Sequence, residues 1–144
     1  GVVYHANYLR WLERARTEWL RMHGLHQQAL LHEHGVVFTL ASLEIAYLRP
    51  ARLDDQLEIV TDISERKRAS FRFAQSVRRK SPAPLGSIGS GQQAGGETLA
   101  TASVRAACVD AVSFKPRPLP DFLKAPAPKL LPASSVVAAE VVDK

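Results

Sequence analysis

The 144 residues are 46% hydrophobic and 23% charged, a balance that fits one globular domain and excludes a fibrous or wholly disordered chain. No apolar run approaches the roughly 18 residues that cross a bilayer as a helix. The formal charge of +5 favours anionic partners without choosing among phosphates, nucleic acid and an anionic surface, and a lone cysteine, Cys108, excludes an internal disulfide and fits a reducing, cytoplasmic setting.

The chain opens on Gly1-Val2-Val3-Tyr4-His5-Ala6-Asn7-Tyr8 and reads as starting inside a structural unit, with no strand before Gly1. Tyr8, Trp11, Leu12, Ala15, Trp19 and Met22 then recur at helical spacing. They predict an amphipathic helix from about Asn7 to His23, with Asn7 as N-cap and Gly24 just past the end. Glu13–Arg16 and Glu18–Arg21 are i,i+3 pairs of opposite sign on its other face. The helix N-terminus offers unpaired N–H groups and partial positive charge. It reads either as an ordinary cap with aromatic core residues or as a site for an anion or oxyanion.

His26 to His34 predicts a second helical turn or two, ended by Gly35. Beyond it the period becomes two: Leu43, Ile45 and Tyr47, then Leu57, Ile59 and Ile63, then Phe71, Phe73 and Val77. Pro50 to Asp55 separates the first two strands, and Glu65 to Arg68 closes a hairpin between the second and third. A fourth strand is predicted from about Thr98 to Val112. The glycines and prolines between Lys80 and Glu97 predict a flexible loop. Pro116, Pro118, Pro120, Pro126, Pro128 and Pro132 predict a mostly disordered tail over 115–144, leaving 1–114 as the folded α+β domain. One helix followed by antiparallel strands leaves sheet edges that need partners, so oligomerisation is expected.

Gly1-Val2-Val3-Tyr4-His5-x-x-Tyr8 followed by Glu13-Arg14-Ala15-Arg16-Thr17-Glu18 resembles the 4-hydroxybenzoyl-CoA thioesterase family. Pro50-Ala51-Arg52-Leu53-Asp54-Asp55 and Lys115-Pro116-Arg117-Pro118-Leu119-Pro120 resemble its Tol-Pal-associated acyl-CoA thioesterase branch. The resemblance implies a hotdog fold, a long central helix wrapped by an antiparallel sheet, here lacking the family's first strand. It also implies a homodimer or homotetramer, hydrolysis of an acyl-CoA or acyl-carrier-protein thioester, and no cofactor, since CoA belongs to the substrate. The family's nucleophilic or basic aspartate lies three positions before the motif glycine, so it is expected upstream of Gly1.

By the same resemblance, the His5 N–H polarises the thioester carbonyl, which gives the helix-terminus geometry its chemical sense. The His5 side chain is left open between lining the pocket, moving a proton and packing. Tyr4 and Tyr8 read as pocket walls or core, and Tyr4 is counted with His5 and Glu13 among the candidate catalytic residues. In Arg66-Lys67-Arg68-Ala69-Ser70, the residues Lys67, Arg68 and Ser70 match CoA-phosphate contacts made across a subunit interface; without the resemblance they read as a solvated turn. Glu13 sits where another hotdog type carries its carboxylate, and reads alternatively as half of an ion pair with an arginine. Asp54 and Asp55 read as turn residues. His23 and His26, like His32 and His34, do not share one helical face, so no metal is expected. A non-catalytic module binding acyl-CoA or acyl-carrier protein is the other functional reading. Nucleic-acid binding is disfavoured by dispersed basic residues and the absence of a recognised motif.

Overall fold

The computed structural model describes residues 5–52, 55–80, 95–124 and 133–138. Tyr4, Asp54 and most of the expected 80–97 loop lie outside the described residues, as do 125–132 and 139–144. Helices α1 (His5–Met22) and α2 (Gln27–His34) precede strands β1 (Val36–Tyr47), β2 (Gln56–Arg66), β3 (Ser70–Lys80) and β4 (Gly95–Asp110). A 3-10 turn at Asp121–Lys124 and a short strand β5 (Ala133–Ala138) follow. The strands form one antiparallel sheet in the order β1-β4-β3-β2-β5.

The apolar stripe of α1 explains its position. Tyr8, Trp11, Leu12, Ala15, Trp19 and Leu20 are buried against inward-facing Leu57, Ile59, Phe71, Phe73, Val77 and Val104. Trp19 meets Phe73 edge-to-face at 5.8 Å, and Phe38, Phe71 and Phe73 continue as an aromatic row at 5.2 and 5.0 Å. Met22, expected on this face, is 65% exposed; the His23 ring stacks on Trp19 at 4.0 Å instead. Gly24 ends the helix in the left-handed conformation, φ 78°, its N–H bonding Arg21 O while the Leu25 N–H reaches Leu20 O.

Among the described residues Asn7, Thr61 and Gln75 are the buried polar side chains, and Gln75 makes the most connections. Gln75, 3% exposed, donates through Nε2 to Leu12 O and to Thr61 Oγ1, each at 3.0 Å, and accepts from Arg16 Nη1 at 3.0 Å. Helix, β2 and β3 are therefore tied by one side chain. Arg16 turns inward to Gln75 rather than joining Glu13, and no described residue pairs with Glu13 within ion-pair distance, which corrects the expected Glu13–Arg16 pair. Glu18–Arg21 does form.

Two strand expectations change. β1 starts seven residues before Leu43, the first residue of the expected alternation, because its register shifts between Leu40 and Ser42. That bulge moves the inward phase from Val36 and Phe38 to Leu43 and Ile45 and hides the first half from a period-two reading. In the tail, the prolines alternate with residues whose N–H groups donate: Arg117 to Cys108 O and Leu119 to Arg68 O, both at 2.9 Å. Leu119 and Leu123 are buried in the core, and β5 pairs with β2 from Gln56↔Ala138 to Thr61↔Ala133. The expectation of a mostly disordered tail is thus corrected for 115–124 and 133–138. Proline spaced every second residue costs nothing on the side of a strand that donates nothing.

Gln75→Ala removes three hydrogen bonds at once and takes this partner from Thr61 Oγ1 in the core. A loss of about 2–4 kcal/mol in urea unfolding is expected, and a change below about 0.5 kcal/mol would contradict this role. Asp110 accepts from the Ser113 and Val112 N–H groups at 3.0 and 2.9 Å and from Arg117 Nη1 at 2.7 Å. These backbone bonds, then Arg117, hold its carboxyl below the usual aspartate range. A lowered folded pKa contributes stability that is present above the ordinary aspartate value and lost as pH falls through the folded one. Asp110→Asn should therefore flatten the fall in melting temperature between pH 4 and lower pH, within about the range where aspartates titrate. A wild-type acid slope in the variant would refute it.

Candidate active site

The start of α1 is held over one end of the sheet. The buried Tyr8 hydroxyl accepts the Ala51 N–H at 3.1 Å, and its ring meets Trp11 and Tyr47 edge-on at 5.6 and 5.4 Å. Burial pushes the phenol pKa up, against the smaller lowering by the Ala51 bond, so Tyr8 stays protonated and structural at neutral pH. Beneath it, Arg79 binds Asp55 Oδ2 at 3.1 Å, Pro50 O at 3.1 Å and the Glu97 carboxylate, which also pairs with Arg49 at 2.9 Å. Asp55 in turn accepts the Arg52 N–H at 2.8 Å, the turn role expected for it. These contacts hold Pro50, Arg52 and Asp55 in place around Ala51, whose N–H the Tyr8 hydroxyl accepts.

His5 is the first residue of α1, two before the expected start, so Asn7 lies inside the first turn and is not the N-cap. The physical reason is visible in its partner: Asn7 Oδ1 accepts from Arg10 Nη2 at 2.7 Å rather than from a backbone N–H. The first turn carries no acidic residue, so the positive end of the helix dipole is uncompensated by side chains there.

Glu13 lies on the rim of a cleft of about 150 Å³ between α1, α2 and the sheet, with Arg16, Thr17 and Gln27 beside it and Phe38, Phe71 and Val104 at its floor. It is exposed, and it is eight residues from His5, about 12 Å along the helix.

Lys67 and Arg68 are exposed and Ser70 half-buried at the β2–β3 turn. The Lys67 N–H closes that turn onto Ser70 O at 2.7 Å, while Ala69 O and Arg68 O accept from Cys108 and Leu119. The backbone is therefore pinned while the basic side chains face outward. Cys108 is buried beneath, its thiol 3.6 Å from Pro118 O and its pKa raised by burial, which suits packing rather than nucleophilic chemistry.

The turn and the start of α1 occupy opposite ends of the sheet. β2 runs from the Asp55 end to the turn, and its 11 residues span about 36 Å. One protomer does not bring Lys67, Arg68 and Ser70 to His5. Sequence reading missed Gln75 and Arg79, because a lone glutamine in an alternating strand and one arginine among several carry no local signal. The i,i+3 spacing of Asn7 and Arg10 was a signal that could have been used. Among the described residues no three of His, Cys, Asp and Glu gather as a metal site, and no helix is long and apolar enough to cross a membrane.

Comparison with known proteins agrees with this architecture. A family model described as thioesterase superfamily matches residues 1–85. The acyl-CoA thioester hydrolase YbgC of Escherichia coli O6:H1 is 41% identical over 125 residues, covering 87% of this chain and 82% of the relative. A probable thioesterase from Bartonella henselae is 34% identical with a TM-score of 0.64, over 83% of this chain and 86% of that one. The 4-hydroxybenzoyl-CoA thioesterase of Pseudomonas sp. strain CBS-3 is 26% identical with a TM-score of 0.69, over 86% of each chain. The α1-on-antiparallel-sheet architecture is the hotdog fold, and the chain belongs to the thioesterase superfamily.

Proposed function

We propose that this protein hydrolyses acyl-CoA thioesters to a free acid and CoA. The observation that carries the reading is an 18-residue helix whose acid-free first turn is held rigidly over the sheet by Tyr8 and the Arg79 cluster. Attack on a thioester puts negative charge on the carbonyl oxygen, and fixed N–H groups at a positive helix end stabilise it without reorganising. The His5 N–H is the proposed donor. The relative from E. coli, named as an acyl-CoA thioester hydrolase, supports hydrolysis over a binding-only module.

Water is the proposed nucleophile's source: its oxygen bonds to the carbonyl carbon, a proton passes to a carboxylate, and the C–S bond breaks with release of the CoA thiolate. In the family that the opening motif resembles, the carboxylate precedes the motif glycine. Within the residues present, Glu13 is proposed to orient water, since it borders the cleft and is unpaired among the described residues. Lys67, Arg68 and Ser70 are proposed to hold the CoA phosphates, whether CoA is free or its phosphopantetheine arm is on a carrier protein. No cofactor is invoked.

Because Glu13 and the basic turn are both remote from the α1 terminus of their own protomer, each proposed site draws on a second copy. The outer edge of β1, with Leu40, Tyr47 and Leu48 exposed beside it, supports a homodimer or a homotetramer built from it. A cytoplasmic placement fits the unpaired Cys108.

Arg68→Ala should raise KM for acyl-CoA at least several-fold while kcat changes little, because a phosphate contact is remote from the reacting carbon. An unchanged KM would remove Arg68 from the site. Glu13→Gln should do the reverse, lowering kcat by at least about tenfold at similar KM, as loss of a group that orients or deprotonates water does. Wild-type kcat in that variant would return Glu13 to the solvent-exposed surface.

A further inference from the structure

Among the described residues two buried side-chain polar atoms lack a hydrogen-bond partner, Asn7 Nδ2 and Arg78 Nε, and of these Asn7 lies in the first turn of α1. It is 3% exposed, and its Nδ2 has no hydrogen-bond partner among the described residues. Its orientation is settled chemically. Arginine only donates, so the atom facing Arg10 Nη2 at 2.7 Å must be the amide oxygen. The NH2 group is therefore turned away from Arg10. Side chains of a helix lean toward its N-terminus, so Asn7 in the first turn leans toward the acid-free positive end. Buried amide donors are almost always paired in native proteins, and an unpartnered one in the first turn of a helix calls for an acceptor.

We propose that Asn7 Nδ2 is a second donor to the substrate's thioester carbonyl oxygen, acting beside the first-turn N–H of α1, and that Arg10 is the positioning residue that aims it. The proposal rests on the thioesterase reading above and adds a catalytic residue to it. An oxyanion held by a backbone N–H and a side-chain N–H is stabilised from two directions, and both donors are fixed before the substrate arrives. A carbonyl oxygen is the acceptor that fits: it has two lone pairs, becomes more negative as the reaction proceeds, and brings no proton to compete.

Asn7→Asp is the sharp test. It keeps the oxygen that accepts from Arg10 and places an acid in the first helical turn, where it favours the helix, yet it has no N–H to give. Asn7→Ala provides a neutral control, and melting temperatures check that both variants fold. Two measurements are made on the full chain. The first is kcat and KM with an acyl-CoA panel. The second is the affinity for a pair of non-hydrolysable acyl-CoA analogues, one a ketone with CH2 in place of sulfur and one with that carbonyl reduced to CH2. Wild type should prefer the ketone by about tenfold or more, and both variants should lose the preference. Their kcat should fall about 100-fold with little change in KM, the scale seen when one oxyanion donor is removed. Retained preference for the ketone in folded Asn7→Asp and Asn7→Ala would overturn the proposal, as would an effect confined to KM. If wild type turns over no acyl-CoA yet shows the preference and the variants lose it, hydrolysis fails and the Asn7 contact stands. If wild type shows neither turnover nor preference, both fail.

Discussion

Gln75 bonds at once to the carbonyl of Leu12 in α1, to Thr61 in β2 and to Arg16 one turn further along the helix. The apolar stripe alone would let α1 slide or roll on the sheet, since hydrophobic burial is non-directional. A buried amide with all its partners satisfied does not permit that, because any displacement of the helix breaks bonds that water cannot replace. The position of α1, and with it everything placed at its N-terminus, depends on this tie. Arg16 carries the cost: burial lowers its pKa, and its guanidinium is given to Gln75 instead of the nearby Glu13. Glu13 is left facing the cleft for the same reason.

At the other end of the helix's first two turns the control is electrostatic. Arg79 draws Asp55, Glu97 and the Pro50 carbonyl together, and Asp55, assisted by Glu97, raises the arginine's own pKa. The loop so formed presents the Ala51 N–H to Tyr8. Acidic groups are thus consumed beneath the start of α1, and none stands in its first turn to quench the dipole. The arrangement keeps a positive terminus available in a chain that has ample carboxylates to cap it. The thioesterase chemistry proposed here needs that availability, because the charge to be stabilised exists only during the reaction.

The helix and three of the strands were legible because each buries one face, and a buried face repeats at 3.6 or 2 residues. Trp11, Trp19, Leu57, Ile59, Phe71 and Phe73 all lie where periodicity puts them. What failed were places where the period is interrupted or carried by the wrong residue type. The bulge at Leu40–Ser42 inverted the phase of β1, and the prolines at 116, 118 and 120 masked an extended segment whose intervening residues supply the hydrogen bonds. The opening motif disclosed the family and the helix terminus on which the proposed site is built. Spacing allowed the Asn7–Arg10 contact, but it could not disclose that Glu13 has lost Arg16 to Gln75, since that depends on a long side chain choosing between nearby partners. Nor could it show that the basic turn and the helix terminus lie at opposite ends of one protomer, which follows only from the sheet order.

The central claim is that the first turn of α1 polarises a thioester-like carbonyl. Isotope-edited infrared difference spectroscopy reads this directly, using a ketone analogue of acyl-CoA labelled with 13C at the carbonyl. The carbonyl stretch of the bound analogue should move to lower frequency than in water, because preorganised donors in a water-excluded site polarise the bond more strongly than solvent does. A stretch at or above its aqueous frequency, with the analogue bound, would contradict the account.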